Sequence, residues 1–416
     1  MSQSEIENSG LTKYEESFFL GQAKSLLQFA RGSEVANGGF GYMDSQGRVD
    51  SSKPRQAYVQ CRMIQVFGLT HLMGLQDSSR LIKHGVDALN ELFFDQKNSG
   101  FFNAVDLSGK PIGDSKLGYD HMFVLLGAVT ATAAGIDGAP KLLQRAEDAI
   151  DGYFWDTEFE MMNDQWNLNF SNLDTYRGIN VNMHAVEALT AAYDMTGDRK
   201  YLDRALAICK RTVNLFARNH EWLLPEHFSS TWVVDREFNR EHPADQFRPY
   251  GVTIGHLFEW ARLTLQVGLQ VKDQPGFEWI LEGAINLYAA AKENGWSADG
   301  SPGFIYTMNW QKQPVVRSRM QWVAAEAVMA SWVLWKTTGE NHYLADYELW
   351  WSYIDRNHID REFGSWHHEL NPNLEVIEDT WSGKPDVYHA LNACLLPILP
   401  FEASFIGAAL KYKKKL

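Results

Sequence analysis

Apolar residues along this chain follow two rules that alternate. In SRLIKHGVDALNELF, APKLLQRAEDAIDGYF, RKYLDRALAICKRTVNLF and FEWILEGAINLYAAAKENG they recur at i, i+3, i+4 and i+7. That spacing gives a helix one apolar stripe and one wet face. The segments RMIQVFGLTHLMG, HMFVLLGAVTATAAG, NMHAVEALTAAYDMTG, GHLFEWARLTLQVGL, QWVAAEAVMASWVLWKTTG and VYHALNACLLPILPF are apolar around most of their circumference. A helix of that kind must be enclosed by protein. Gly74, Gly135, Gly197 and Gly339 close four of these segments, as helix stop signals do.

Short stretches of an apolar pair, a polar turn and an apolar return stand before the all-apolar segments, and they read as β-hairpins. NGGFGYMDSQGRV, NSGFFNAVDLSGKP, FEMMNDQWNLNF, EWLLPEHFSS, SPGFIYTMNWQKQPVV and EFGSWHHELNPNLEV are the six. Anchored at Phe40, Phe101, Met161, Leu223, Phe304 and Gly364, they are 61, 60, 62, 81 and 60 residues apart, so one interval carries an insertion. A striped helix, a hairpin and an apolar helix repeated six times predict an outer and an inner ring. The expected fold is all-α, an (α/α)6 barrel of six helix pairs with short β-hairpins at one end, over residues 1–416 as a single domain. An open solenoid would cap its ends with polar repeats, whereas the last unit ends in ALNACLLPILPF.

Composition narrows the class. The chain has 416 residues, 45% hydrophobic, which excludes disorder, and a net charge of −14, which speaks against nucleic acid or an anionic membrane surface as partner. No apolar run reaches the roughly 20 residues of a membrane span. The start, MSQSEIENSGLTKYEE, lacks the basic and apolar parts of a signal peptide, and the KYKKKL tail reads as a solvated end. Cys61, Cys209 and Cys394 have neither disulfide nor zinc spacing. These features predict a cytoplasmic protein, monomeric or weakly dimeric, that takes a small neutral ligand. Fifteen tryptophans suggest stacking on a sugar, with Tyr58, Trp310, Trp322, Trp366 and Trp381 as candidate platforms.

Polar side chains on enclosed helices cost desolvation unless they are paired or used. Each inner helix nevertheless carries some near its start: Tyr58 and Arg62, Tyr119 and His121, Asn180 and His184, His256 and Glu259, Trp322 and Glu326, and His389. Asn180 and His184 are four apart and His256 and Glu259 three apart, so each pair shares a helix face, and a carboxylate there can orient an imidazole. One such histidine is more often a satisfied core group. Three converging from separate inner helices suggest acid–base chemistry. An HxxE pair also occurs in metal sites, but further ligands at matching spacing are missing, so no metal is expected. No glycine-rich phosphate motif is present, and no cofactor is expected.

The stretches CRMIQVFGLTHLMG, NVNMHAVEALTAAY, RPYGVTIGHLFEWARL, PGFIYTMNW, RMQWVAAEAV, GSWHHELN and KPDVYHALNACLLP resemble the N-acylglucosamine 2-epimerase superfamily over about residues 20 to 405. They are most similar to its branch of aldose–ketose isomerases acting on mannose or sulfoquinovose. The resemblance implies an (α/α)6 barrel around a monosaccharide. It makes His389 the base that moves a proton between C1 and C2 through a cis-enediol. His256 would open the ring or act on the opposite face, and Glu259 would orient or polarise the site. Arg62, Asn180, His184 and Arg248 resemble groups that bind sugar hydroxyls and the enediolate oxygen, with Tyr58, Tyr119, Trp322 and Glu326 completing the expected pocket. The chemistry makes the same demand: a proton alpha to an aldehyde needs a base near neutral pH and a cation against the developing oxyanion.

The resemblance leaves the reaction open among an isomerase, an N-acylglucosamine or cellobiose type 2-epimerase, and a sulfoquinovose isomerase. A sulfonate-binding relative is expected to have glutamine just before the YHA motif, where this chain has Pro385. That favours a neutral sugar, D-mannose to D-fructose and also D-lyxose to D-xylulose. Outside the family, a glycoside hydrolase would use Glu326, Glu369 or Asp386 as paired carboxylates. A carbohydrate-binding module would have no use for three inner histidines.

Overall fold

The computed structural model describes residues 14–413; most of the polar amino-terminal stretch and the end of the KYKKKL tail lie outside the described residues. The inner ring consists of α2 (Ala57–Leu72), α4 (Gly118–Ala133), α6 (Ile179–Thr196), α8 (Ile254–Gly268), α10 (Gln321–Thr338) and α12 (Tyr388–Leu395). The outer ring is α1 (Glu16–Ala30), α3 (Ser79–Ala88), α5 (Ala139–Ala149), α7 (Arg199–Cys209), α9 (Trp279–Gly295) and α11 (Asn341–Asn357). Each inner helix packs on the next, and α12 touches both α10 and α2, which closes the ring and rules out an open solenoid. The outer partner of α12 is α1, from the other end of the chain. A last helix, α13 (Phe405–Lys413), lies against α2 and α6.

The two hydrophobic patterns account for the two rings. All of α2 except His71 is buried, whereas α3 buries only the stripe Leu81, Ile82, Gly85, Val86 and Ala88. Gly74, Gly135, Gly197 and Gly339 have φ of 73°, 73°, 73° and 74°. No atom lies within 4 Å of where a Cβ would sit on any of them, so these glycines are required by backbone conformation alone.

The hairpins are only partly local. Within a unit most are single bridges, such as Phe94 to Phe101 and Ile359 to Trp366, and two are short ladders, Ala104–Val105 with Pro111–Ile112 and Trp155–Asp156 with Met161–Met162. Five antiparallel ladders instead join the residues before one inner helix to the hairpin of the next unit: Arg55 to Val105, Ser115 to Asn167, Arg177 to Phe228, Val252 to Met308 and Arg319 to Leu370. Turn chemistry reveals a local reversal, but not a pairing some fifty residues away. These ladders tie neighbouring units together at the rim and fix where five of the six inner helices begin.

A second unanticipated device repeats at the rim. A cation just before an inner helix is held by an aspartate in its own unit's turn: Lys116 with Asp95 at 3.0 Å, Arg319 with Asp299 at 2.6 Å, and Lys384 with Asp360. All six side chains are buried. Buried ion pairs of this kind fix geometry more surely than they add net stability.

Candidate active site

A cavity opens at the end of the barrel where the inner helices start. Arg62, Tyr119, Asn180, His184, His256, Glu259, Trp322 and His389 line it, and each comes from the first turns of its inner helix. Tyr58, Glu326 and Arg248 do not line it. Tyr58 stands behind Arg62, with its ring centroid 5.0 Å from the guanidinium carbon, and Glu326 stands behind His389. Arg248 stacks on Tyr176 at 4.0 Å and points a nitrogen at Gln165 from 3.4 Å, so direct sugar contact is not its position here. Of the proposed aromatic platforms, Trp322 and Trp381 line the cavity; Trp366 is core, and Trp310 donates to the Arg236 carbonyl away from it.

Three histidines each have Nδ1 against a carboxylate. His389 Nδ1 lies 2.9 Å from Glu326 Oε1, His256 Nδ1 lies 3.0 Å from both Glu226 oxygens, and His184 Nδ1 lies 3.4 Å from Glu187 Oε2. The three carboxylates are buried. A carboxylate on Nδ1 fixes the tautomer that leaves the Nε2 lone pair free for a ligand. The indole of Trp322 lies between two of them, with centroids 5.3 Å from His256 and 5.8 Å from His389.

The pairings differ from those expected along the helix. Glu259 does not orient His256; Glu226, from the rim segment LLPEHF thirty residues earlier, does. Asn180 donates to the Phe247 carbonyl at 3.3 Å instead of serving His184, whose partner is Glu187. His184 and Glu187 have the same HxxE spacing as His256 and Glu259, so that signal was present in the sequence. Nothing local points to Glu226. His121 is a core group, accepting from the Phe101 amide at 3.0 Å and facing the Leu117 carbonyl at 2.6 Å.

Charges at the site are balanced pair by pair. Arg62 donates to Asp386 Oδ2 at 3.0 Å and to Tyr119 Oη at 2.9 Å, among the rings of Tyr58, Phe123 and Tyr388. Burial opposes ionisation of Asp386, but Arg62 and His368 outweigh it and hold the carboxyl below its usual range. Burial, then the neighbouring Glu326, push the Glu259 carboxyl well above its usual range. One of its oxygens is buried without a hydrogen bond. Burial also raises Glu326, against the pull of Arg262, whose Nε is 2.8 Å from Glu326 Oε2. Burial and then Arg62 hold His389 well below the usual imidazole range, so it is a neutral ring. The arrangement therefore offers a carboxylate-backed neutral imidazole, a carboxyl whose ionisation burial opposes and a caged guanidinium. Groups of these kinds around one cavity can act as a base, an acid and an oxyanion partner.

Donor atoms of His184, Glu187 and Glu259, and of Glu259, Glu326 and His389, come within 4.8 Å of one another. Arg262 already places its charge between Glu259 and Glu326, at 3.5 and 2.8 Å, so these groups are not assigned as metal ligands. Nor do the acids fit hydrolysis. Glu326 is tied to Arg262 and His389, Asp386 to Arg62, and Glu369 accepts from the Thr380 and Trp381 amides.

The insertion in the 81-residue interval covers the mouth. Gln246 donates to the Thr380 carbonyl at 2.5 Å, and Phe247 meets Trp381, Tyr119 and Tyr58 edge-on at 5.5, 5.5 and 5.8 Å. The cavity is thereby roofed by residues from opposite sides of the barrel.

Comparison with known proteins agrees with this picture. The chain is 42% identical over 388 residues to a D-mannose isomerase of Thermobifida fusca, covering 93% of this chain and 95% of that protein. It is 40% identical to a D-mannose isomerase of Pseudomonas cannabina pv. alisalensis, covering 93% of each. A crystal structure of a D-mannose isomerase superposes with a TM-score of 0.85 at 26% identity, over 92% of this chain and 98% of that one. The sequence profile of the N-acylglucosamine 2-epimerase (GlcNAc 2-epimerase) family matches residues 38–393. With its closed double ring of helices and its histidine-lined cavity at the hairpin end, this chain belongs to the N-acylglucosamine 2-epimerase family.

Proposed function

We propose that the protein is an aldose–ketose isomerase that interconverts D-mannose and D-fructose, and that His389 is its base. The observation that carries this reading is the His389 ring, neutral and backed by Glu326, in the same cavity as Arg62 and as Glu259, whose carboxyl burial holds well above its usual range. His256, held by Glu226 on the other side of Trp322, suits opening of the pyranose ring. In the open chain His389 Nε2 takes the C2 proton while Glu259 gives a proton to O1, forming the cis-enediol. The O2 proton then passes to Glu259, and His389 returns its proton to C1. Base and oxyanion partner are each worth about 10²–10³-fold in rate.

The two relatives near 40% identity carry the name D-mannose isomerase, which supports the isomerase over the epimerase. Pro385 lines the cavity, and the lining cation Arg62 is already paired with Asp386, which favours a neutral sugar over a sulfonate. D-lyxose matches D-mannose at C2 to C4 and lacks only C6, so it serves as a second substrate, with D-xylulose as product. The three cysteines are free and buried, which suits a reducing cytoplasm. Incubation with D-mannose in D2O, followed by NMR, tests the reading: fructose is expected. Glucose deuterated at C2 would mean epimerisation, and no change in any aldose would overturn both.

A further inference from the structure

We infer that Arg262 and Gln266 on α8 are positioning residues that set the ring tautomer of His389, acting through Glu326 and never touching the sugar. The inference rests on the proposed isomerase reading for its kinetic consequence, but not for its structural one. Arg262 is 1% exposed and does not line the sugar cavity. Its Nε donates to Glu326 Oε2 at 2.8 Å, and its Nη1 donates to Gln266 Oε1 at 3.0 Å. Gln266 in turn donates from Nε2 to the Glu402 carbonyl at 3.4 Å, in the segment that leads into α13. Arg262, Gln266 and Glu187 also border a second cavity beneath the floor, walled by Ser404, Phe405 and Ile406. A continuous line of hydrogen bonds therefore runs from the far end of the barrel to the base: Glu402, Gln266, Arg262, Glu326, His389.

The consequence follows from how many protons the floor holds. Glu326 is fully buried and faces Arg262, Glu259 and His256 from α8, His184 from α6, and His389 from α12. Arg262 lies 2.8 Å from Glu326 but 3.5 Å from Glu259, whose Oε1 has no hydrogen bond, so the guanidinium favours the charge on Glu326 and the proton on Glu259. Ionised Glu326 is an acceptor only, so His389 must donate from Nδ1, which leaves Nε2 as the base. Without the guanidinium, burial and the nearby acids drive a proton onto Glu326. It then donates to Nδ1, the ring proton moves to Nε2, and the base has lost its lone pair.

The test uses 15N-histidine-labelled protein, with the His389 signals assigned by their loss in His389→Gln. Wild type at pH 7.5 is expected to show a protonated Nδ1 and a bare Nε2; the reverse pattern overturns the proposal even if no variant folds. Arg262→Gln should reverse the tautomer and lower kcat by about 10²-fold, with KM changed less than about threefold. Its acid limb should move to higher pH by about one unit or more, because Glu326 must ionise before His389 can act. Arg262→Lys, which keeps the charge, should restore the acid limb. Gln266→Leu should shift it part of the way. A kcat loss with an unchanged tautomer and pH profile would mean that Arg262 is merely structural, and the proposal would fall. If wild type has the expected tautomer but does not isomerise any aldose, the proposed function fails while the tautomer assignment stands.

Discussion

Glu326 Oε1 lies 2.9 Å from His389 Nδ1, while the other oxygen of the same carboxylate is engaged by Arg262 at 2.8 Å. One buried side chain thus serves a base and a cation at once, which only a carboxylate can do.

Glu326→Gln has one acceptor oxygen where two are needed, so either His389 or Arg262 loses its partner. A fall in kcat on the order of 10²-fold is expected, with the fold retained by circular dichroism. His389→Asn should abolish turnover altogether. Full activity in His389→Asn would remove the base assignment.

Glu226 and His256 should behave as one unit, because both Glu226 oxygens sit 3.0 Å from Nδ1. Glu226→Ala is expected to lower kcat/KM by about 10- to 100-fold. Adding it to His256→Asn should cost almost nothing more. Additive losses in steady-state assays with D-mannose would show that Glu226 acts elsewhere.

Stability should peak near neutral pH. Burial depresses His121 to about 3 and His358 and His368 to about 4. Below about 6.5 the unfolded chain binds protons that these folded rings refuse, so stability falls as pH drops from about 6.5 toward 4. Burial raises Asp164 to about 7 and Asp120 to about 8. The folded state keeps protons on these two that the unfolded chain releases from about pH 4 upward, so their contribution declines as pH rises and is lost above about 8; it is outweighed by the three histidines below about 6 and prevails above about 6.5. Urea midpoints at pH 5, 6.8 and 9 measure this; a steady rise in stability across the series would contradict it.

Two glycines should fail differently when changed to alanine. Gly197 has φ of 73° and open space around it, so Gly197→Ala should cost about 1 kcal/mol or more of stability and leave kcat alone. At Gly255 a Cβ would meet the Trp322 ring at 2.2 Å. Gly255→Ala should displace the indole that separates His256 from His389 and reduce kcat/KM. Equal effects of the two substitutions on activity would contradict the placement of Trp322.

The residues read as site candidates from sequence were legible because the inner helices share a register: Arg62, Tyr119, His184, His256, Trp322 and His389 all fall in first turns. Pairings along one helix were less legible. The i,i+3 rule selects Glu187 for His184 correctly, but for His256 it selects Glu259, which the fold gives to Arg262 and the cavity instead. Proximity on a helix permits a contact, while the rim segment carrying Glu226 arrives closer and better aligned.

What the sequence determined by itself is what depends on neighbours in the chain: the sixty-residue period, the striped and enclosed helices, and the glycines at positive φ. Helical periodicity and backbone conformation are local, so they are written locally. Tertiary structure alone decided the ladders between successive units, the buried Lys116–Asp95 and Arg319–Asp299 clamps, the roof laid by Phe247 across to Trp381, and the line from Gln266 through Arg262 to His389. Each joins groups tens to hundreds of residues apart, and a buried charge finds its partner only once closure of the ring has removed the water that would otherwise serve it.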